Sequence, residues 1–221
     1  MMRGRRPRAA IFDRDGVLTH FDLPMLREVL HPLIPLALEQ IAVRWQRWCE
    51  RGGPRSAAEE VVFWTAFWDS ICDELRLEDW RRDRLHAFDY TLAIRAFPDA
   101  RPSLLFARSR GLKVGVLSNF PLVSLDASLA AAGLADAIDV ARSAPAIGAA
   151  KPDPASYLSV TGLLEVEPAE CVLFDDEAEC VEGARALGIQ AYLVDRTRSA
   201  HSLAEGIVRD LGALSMVLEP S

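Results

Sequence analysis

Short apolar runs that stop abruptly at polar residues set the rhythm of this chain. Residues 9–12, 113–117, 137–140, 171–174 and 190–194 are strand-length runs of this kind. A strand buried on both faces reads as a continuous apolar stretch rather than an alternating one. Between the later runs lie helical stretches at 102–110, 122–132, 154–161 and 178–187, followed by Gly111, Gly133, Gly162 and Gly188. Glycine just past a helical pattern is the usual stop. Residues 199–218 are expected to form a final helix closing the core. Strands alternating with helices predict an α/β fold: a Rossmann-like parallel sheet with helices on both faces.

Residues 20–94 break the alternation, showing no convincing strand and several helical stretches. Arg51-Gly52-Gly53-Pro54 is a clear interruption, and Ser56-Ala57-Ala58-Glu59 opens the next helix with a capping-box pattern. All five tryptophans (Trp45, Trp48, Trp64, Trp68, Trp80) fall in this segment. Trp64 and Trp68 share one helix face, and Phe63 and Phe67 form the neighbouring pair. An aromatic stripe at helical spacing is first of all bundle packing. Two other readings are a wall that selects a bulky or ring-shaped substrate, and a dimer contact; a monomer or a homodimer is expected.

Composition narrows the class without deciding it. With 221 residues, 50% hydrophobic and 26% charged, the chain has an ordinary globular profile. A net charge of −7 argues against nucleic acid as a partner. The four cysteines form no Cys-x-x-Cys pair or zinc-like spacing and read as reduced thiols. Met1 to Arg8 is basic but leads into too few apolar residues for a signal-peptide core, and no run approaches membrane-spanning length. A cytoplasmic protein with no membrane partner is the expectation.

The chemistry collects at strand ends. The run at 9–12 leads into Asp13, Asp15 and Gly16; that at 113–117 into Ser118 and Asn119; that at 171–174 into Asp175 and Asp176. Lys151 lies between the last two, in Lys-Pro-Asp-Pro. Each piece has a local explanation: Asp and Gly dominate turns, and acids suit the start of a following helix. Of the 25 Lys+Arg residues, however, only Lys113 and Lys151 are lysines, so a lysine here is not background. Ligands in open α/β sheets sit outside the carboxyl ends of the strands. In this order the groups suit the holding of a phosphate and a hard divalent cation such as Mg2+ against a carboxylate nucleophile.

These stretches (Ile11-Phe12-Asp13-Arg14-Asp15-Gly16-Val17-Leu18, Val116-Leu117-Ser118-Asn119, Lys151-Pro152-Asp153-Pro154 and Leu173-Phe174-Asp175-Asp176) resemble the haloacid dehalogenase-like hydrolase superfamily, in its branch with a helical C1-type cap. The segment from Phe174 to Ala184 resembles sugar-phosphate phosphatases whose last motif carries paired acids. The resemblance implies a catalytic core of residues 1–19 and 95–221 and an all-helical cap of residues 20–94. The first strand would lie at the sheet centre, between the second- and fourth-motif strands. It further implies a Mg2+-dependent phosphatase acting on a small phosphorylated metabolite, sugar-phosphate-like, through an aspartyl-phosphate. Asp13 would be the nucleophile and Asp15 the general acid and base. Ser118 and the Asn119 backbone would bind the phosphoryl group, and Lys151 would neutralise charge. Asp176 would ligate the metal, with Asp13, the Asp15 carbonyl and Asp175 as further or alternate ligands.

Cys180 departs from the pattern, standing where relatives often carry Asp or Asn; a thiol is a poor ligand for magnesium. Arg14 receives no role, since extended geometry turns it away from Asp13. His20 is read first as a hydrogen-bonded hinge histidine without chemistry, the other reading being a hinge residue that touches substrate. Rival functions are a carbon–halogen hydrolase, which needs neither Asp15 nor a metal, and a phosphomutase. A non-catalytic binding protein is a further alternative. A phosphonate-cleaving relative would need a cap lysine, and residues 20–94 contain none.

Overall fold

The structure is a computed structural model, and it describes residues 6–219. The first five and last two residues of the expected core, including most of the basic start, lie outside them. Eight strands are present among the described residues: β1 (Ala9–Phe12), β2 (Thr19–Phe21), β3 (Ile94–Ala96), β4 (Lys113–Ser118), β5 (Val140–Ser143), β6 (Cys171–Asp175), β7 (Gln190–Val194) and β8 (Ile207–Val208). Six form one parallel sheet in the order β5-β4-β1-β6-β7-β8, while β2 and β3 pair as a separate antiparallel ribbon.

Alternation along the strands divides the core in two. On one face Ala10, Phe12, Val114, Val116 and Phe174 pack under α5 (Ala100–Ser109) and α6 (Leu125–Ala131). On the other, Ala9, Ile11, Leu117 and Leu173 pack under α8 (Pro154–Leu163) and α9 (Ala178–Ala186). The short α7 (Ala144–Ile147) follows β5, and α10 (Leu214–Leu218) ends the described chain. Because β1 pairs with both β4 and β6 in register (Phe12 opposite Val116 and Phe174), the polar residues after these strands emerge side by side.

Between β2 and β3 the chain builds the helical cap: α1 (Leu23–Leu30), α2 (Leu38–Cys49), α3 (Ala57–Leu75) and α4 (Asp79–His86). Ser56 caps α3 by accepting from the Glu59 N–H at 3.2 Å; the Glu59 carboxylate reaches back to the Arg55 N–H rather than to Ser56. The cap has its own core of Leu30, Ile34, Phe67, Trp68, Ile71 and Leu85.

Four elements differ from expectation. The stretch 20–94, read as strand-free, holds His20 and Phe21 of β2 and Ile94 of β3, because its two ends pair with each other where the chain leaves and re-enters the core. Gly162, expected to stop its helix, lies inside α8, which runs to Leu163; the left-handed residue after it is Glu165, at φ 54°. The run expected at 137–140 enters the sheet only at Val140, because residues 135–137 form a 3-10 turn and Asp139 makes the first ladder bond, to the Val114 carbonyl. The final helix expected over 199–218 is confined to its last turns. Gly206, at φ +69°, ends a short turn, and β-branched Ile207 and Val208 then extend the sheet edge beside β7. Asp210 then starts a new turn by accepting from the Gly212 N–H.

Candidate active site

The residues singled out in the sequence meet at the carboxyl ends of β1, β4 and β6. Lys151 is the hub. Its Nζ lies 2.6 Å from Asp13 Oδ1 and 2.6 Å from Asp175 Oδ2, with its side chain only 1% exposed. Asn119 places that lysine: Nδ2 donates to the Lys151 carbonyl and Oδ1 accepts from the Lys151 N–H. The Asn119 side chain is therefore committed to the loop. Ser118 Oγ accepts from the Phe120 N–H, which shapes the turn after β4.

Asp13, Asp175 and Asp176 bring carboxylate oxygens within 4.8 Å of one another. Three carboxylates face one ammonium, so negative charge is in surplus. Burial raises the Asp13 carboxyl above the ordinary range, with Asp175 adding to the rise and Lys151 opposing it. Burial beside Asp175 likewise pushes Asp176 up to about 6. The neighbouring carboxylates and hydrogen bonds hold the Lys151 ammonium well above its ordinary value despite burial. Such an excess of hard oxygen donors is what a small divalent cation relieves, so the residues fit one. Gly16 makes the approach possible: at φ +73°, a Cβ there would sit 2.1 Å from Asp176 Oδ2.

The Asp15 carboxylate stands apart from this cluster, gripped by Arg14. Cys180 is buried and donates to Glu177 Oε2 at 3.1 Å; burial and Asp175 push its thiol up, so it stays neutral. His20 is exposed on the ribbon, its ring 4.8 Å from that of Phe97.

The cluster forms the floor of a cavity of about 620 Å³ that continues up into the cap. Asp13, Asp15, Ser118, Asn119, Lys151 and Asp176 line its base. The aromatic stripe divides between two duties. Phe67 and Trp68 are buried in the cap core, while Trp45 and Trp64 are only half-buried; all four line the cavity.

Comparison with known proteins decides the family. The family model described as haloacid dehalogenase-like hydrolase matches residues 7–188. The chain belongs to this hydrolase family. It is 44% identical over 212 residues to a protein named phosphatase MT3486 from Mycobacterium tuberculosis, covering 96% of each chain. It is 28% identical over 215 residues to the phosphoglycolate phosphatase of Rhodospirillum rubrum, covering 95% of this chain and 86% of that one. Among solved structures, the L-2-haloacid dehalogenase of Xanthobacter autotrophicus superposes with a TM-score of 0.66 at 26% identity, covering 96% and 98% of the two chains.

Three residues of the hydrolase were missed in the sequence. Arg14, expected to be idle, is fully buried and bonds the Asp15 carboxylate and Ser128 Oγ, with its guanidinium 3.7 Å from the Phe120 ring centroid. Glu60, buried at the start of α3, accepts from the N–H groups of Val123 and Ser124 and from the Ser124 hydroxyl, tying the cap to the loop after Ser118 and Asn119. Arg196 donates to the carbonyls of Gly16 and Val17 and pairs with Asp99. A buried Arg or Glu is rare unless paired, but nothing in one sequence reports burial of a charge.

Proposed function

We propose that the chain is a Mg2+-dependent phosphatase that hydrolyses a phosphomonoester through Asp13. The observation that carries the reading is the Lys151 ammonium 2.6 Å from Asp13 at the base of a deep cavity, with Asp175 and Asp176 beside them. Asp13 attacks phosphorus and forms an acyl-phosphate bond as the bond to the leaving oxygen breaks. Asp15, which also lines the cavity, donates a proton to that oxygen. It then takes a proton from water, whose oxygen attacks phosphorus; the bond from phosphorus to the Asp13 oxygen breaks, freeing the carboxylate and leaving inorganic phosphate as the product. Ser118 and the Asn119 backbone hold the phosphoryl oxygens, and Lys151 compensates their charge.

Asp13, Asp176 and the Asp15 carbonyl would hold Mg2+, while Asp175 mainly anchors Lys151. Bound magnesium supplies electrostatic stabilisation of the developing phosphoryl charge. The 44% identity over 212 residues to a protein named as a phosphatase supports this reading over a dehalogenase, whose ester chemistry has no use for Asp15 or for surplus metal-binding carboxylates. The test is turnover of p-nitrophenyl phosphate with MgCl2 and with EDTA, using Asp13→Asn as control. Activity that survives EDTA or the substitution contradicts the proposal.

A further inference from the structure

Aromatic and aliphatic side chains line the upper cavity. Trp45, Trp64 and Tyr90 form a row of near-parallel rings, with centroids 4.4 Å apart for the first pair and 5.5 Å for the second. Leu26, Leu38 and Ile41 also line the cavity. The Tyr90 hydroxyl is already engaged, 2.7 Å from Ser124 Oγ.

Charge sharpens the point. Among the described residues that line the cavity, Lys151 is the only cation and is held by two carboxylates, whereas Glu39 and Glu177 add further negative charge. A substrate with a second anionic group, such as a carboxylate or another phosphate, would find no partner above the floor. A polyol would lose water contacts against the indole and aliphatic surface and could regain hydrogen bonds only where it reached the Glu39 or Glu177 carboxylate or an indole N–H. At about 620 Å³ the space matches a drug-sized ligand and far exceeds a two- or three-carbon acid.

We infer that the substrate is the phosphate monoester of a bulky hydrophobic alcohol, flat or aromatic in shape, with no second anionic group. The inference rests on the phosphatase reading and specifies what the leaving oxygen carries. Burial of the alcohol against the ring row stabilises the bound ester and fixes the phosphorus over Asp13.

The test compares three primary-alkyl esters: 2-(1-naphthyl)ethyl phosphate, glucose 6-phosphate and phosphoglycolate, each with MgCl2. All three release primary alcohols, which limits differences in the leaving oxygen itself. The expected result is a kcat/KM for the naphthyl ester roughly 10- to 100-fold above both others, the range that apolar pocket contacts supply. Ala42→Arg, at an exposed α2 position on the cavity lining, gives the wall the cation it lacks. It should narrow that ratio about tenfold, raising turnover of phosphoglycolate and lowering that of the naphthyl ester.

The failures separate cleanly. Glucose 6-phosphate or phosphoglycolate matching the naphthyl ester overturns the hydrophobic assignment and leaves the phosphatase intact. An unchanged ratio in Ala42→Arg also overturns that assignment. No turnover of any ester or of p-nitrophenyl phosphate by folded protein overturns the phosphatase reading, and this inference with it.

Discussion

Arg14 grips the carboxylate of its own neighbour, Asp15: one guanidinium nitrogen lies 2.9 Å from Oδ1 and 2.7 Å from Oδ2. The arginine is fully enclosed, whereas the Asp15 side chain is 44% exposed and faces the cavity. Adjacent residues in an extended strand point to opposite faces. Here the turn at Gly16 ends the extended run, so the two side chains can meet. A fork-shaped, permanently charged group fixes the orientation of the carboxylate in a way a lysine cannot.

Arg14→Lys should therefore lower kcat about 10- to 100-fold while changing KM for p-nitrophenyl phosphate far less, because Asp15 loses its fixed orientation. Steady-state kinetics check this. A rise in KM with unchanged kcat would mean that Arg14 serves binding instead.

Gly16→Ala should abolish Mg2+ binding and destabilise the fold by roughly 1–3 kcal/mol. The positive φ disfavours a side chain, and the new methyl would occupy the place of Asp176 Oδ2. Calorimetric titration with MgCl2 and denaturant unfolding measure the two effects separately.

Glu60→Ala should cost roughly 2–3 kcal/mol, since two backbone N–H groups lose a charged acceptor in a buried junction. The same change loosens the cap from the loop that follows Ser118 and carries Asn119. Activity at saturating substrate should fall together with protection of residues 118–124 from hydrogen exchange.

Stability of the metal-free protein should depend on pH through the acid cluster. Folded Asp13 and Asp176 bind protons more tightly than the unfolded chain does. Their contribution to stability is present below the unfolded value near pH 4 and is lost as pH rises through about 6 for Asp176, and through the raised range of Asp13. Magnesium needs the ionised forms, so the rise in Tm on adding MgCl2 should be larger at pH 8 than at pH 5.5. Asp176→Asn should flatten the metal-free slope and diminish the magnesium effect.

The frame of the fold could be read from sequence because its signals are local. The run at 9–12 and the glycine stops after 110, 132 and 187 report strand and helix limits directly, and β1 and β7 fall on the expected residues. The site was legible as far as residue type and strand end go: Asp13, Lys151 and Asp175 meet as a cluster. Less visible were relationships created by three-dimensional burial. In sequence Arg14 receives no role, Glu60 is not singled out, and the aromatic stripe reads first as packing, with a substrate wall and a dimer contact as the other readings. Which face of that stripe meets solvent depends on how the cap sits over the sheet, and periodicity does not encode it. The last segment misled because helical spacing over 199–218 competes with Gly206 and with an open sheet edge next to β7.

The most direct test of the central claim is to catch phosphate on the protein. Protein mixed with MgCl2 and p-nitrophenyl phosphate is quenched in acid within one turnover, reduced with borohydride and mapped by mass spectrometry. Reduction of an acyl-phosphate leaves homoserine at position 13, and that product at that position is the predicted result. Steady turnover with position 13 unmodified at every quench time, or with phosphate found on another residue, would contradict it.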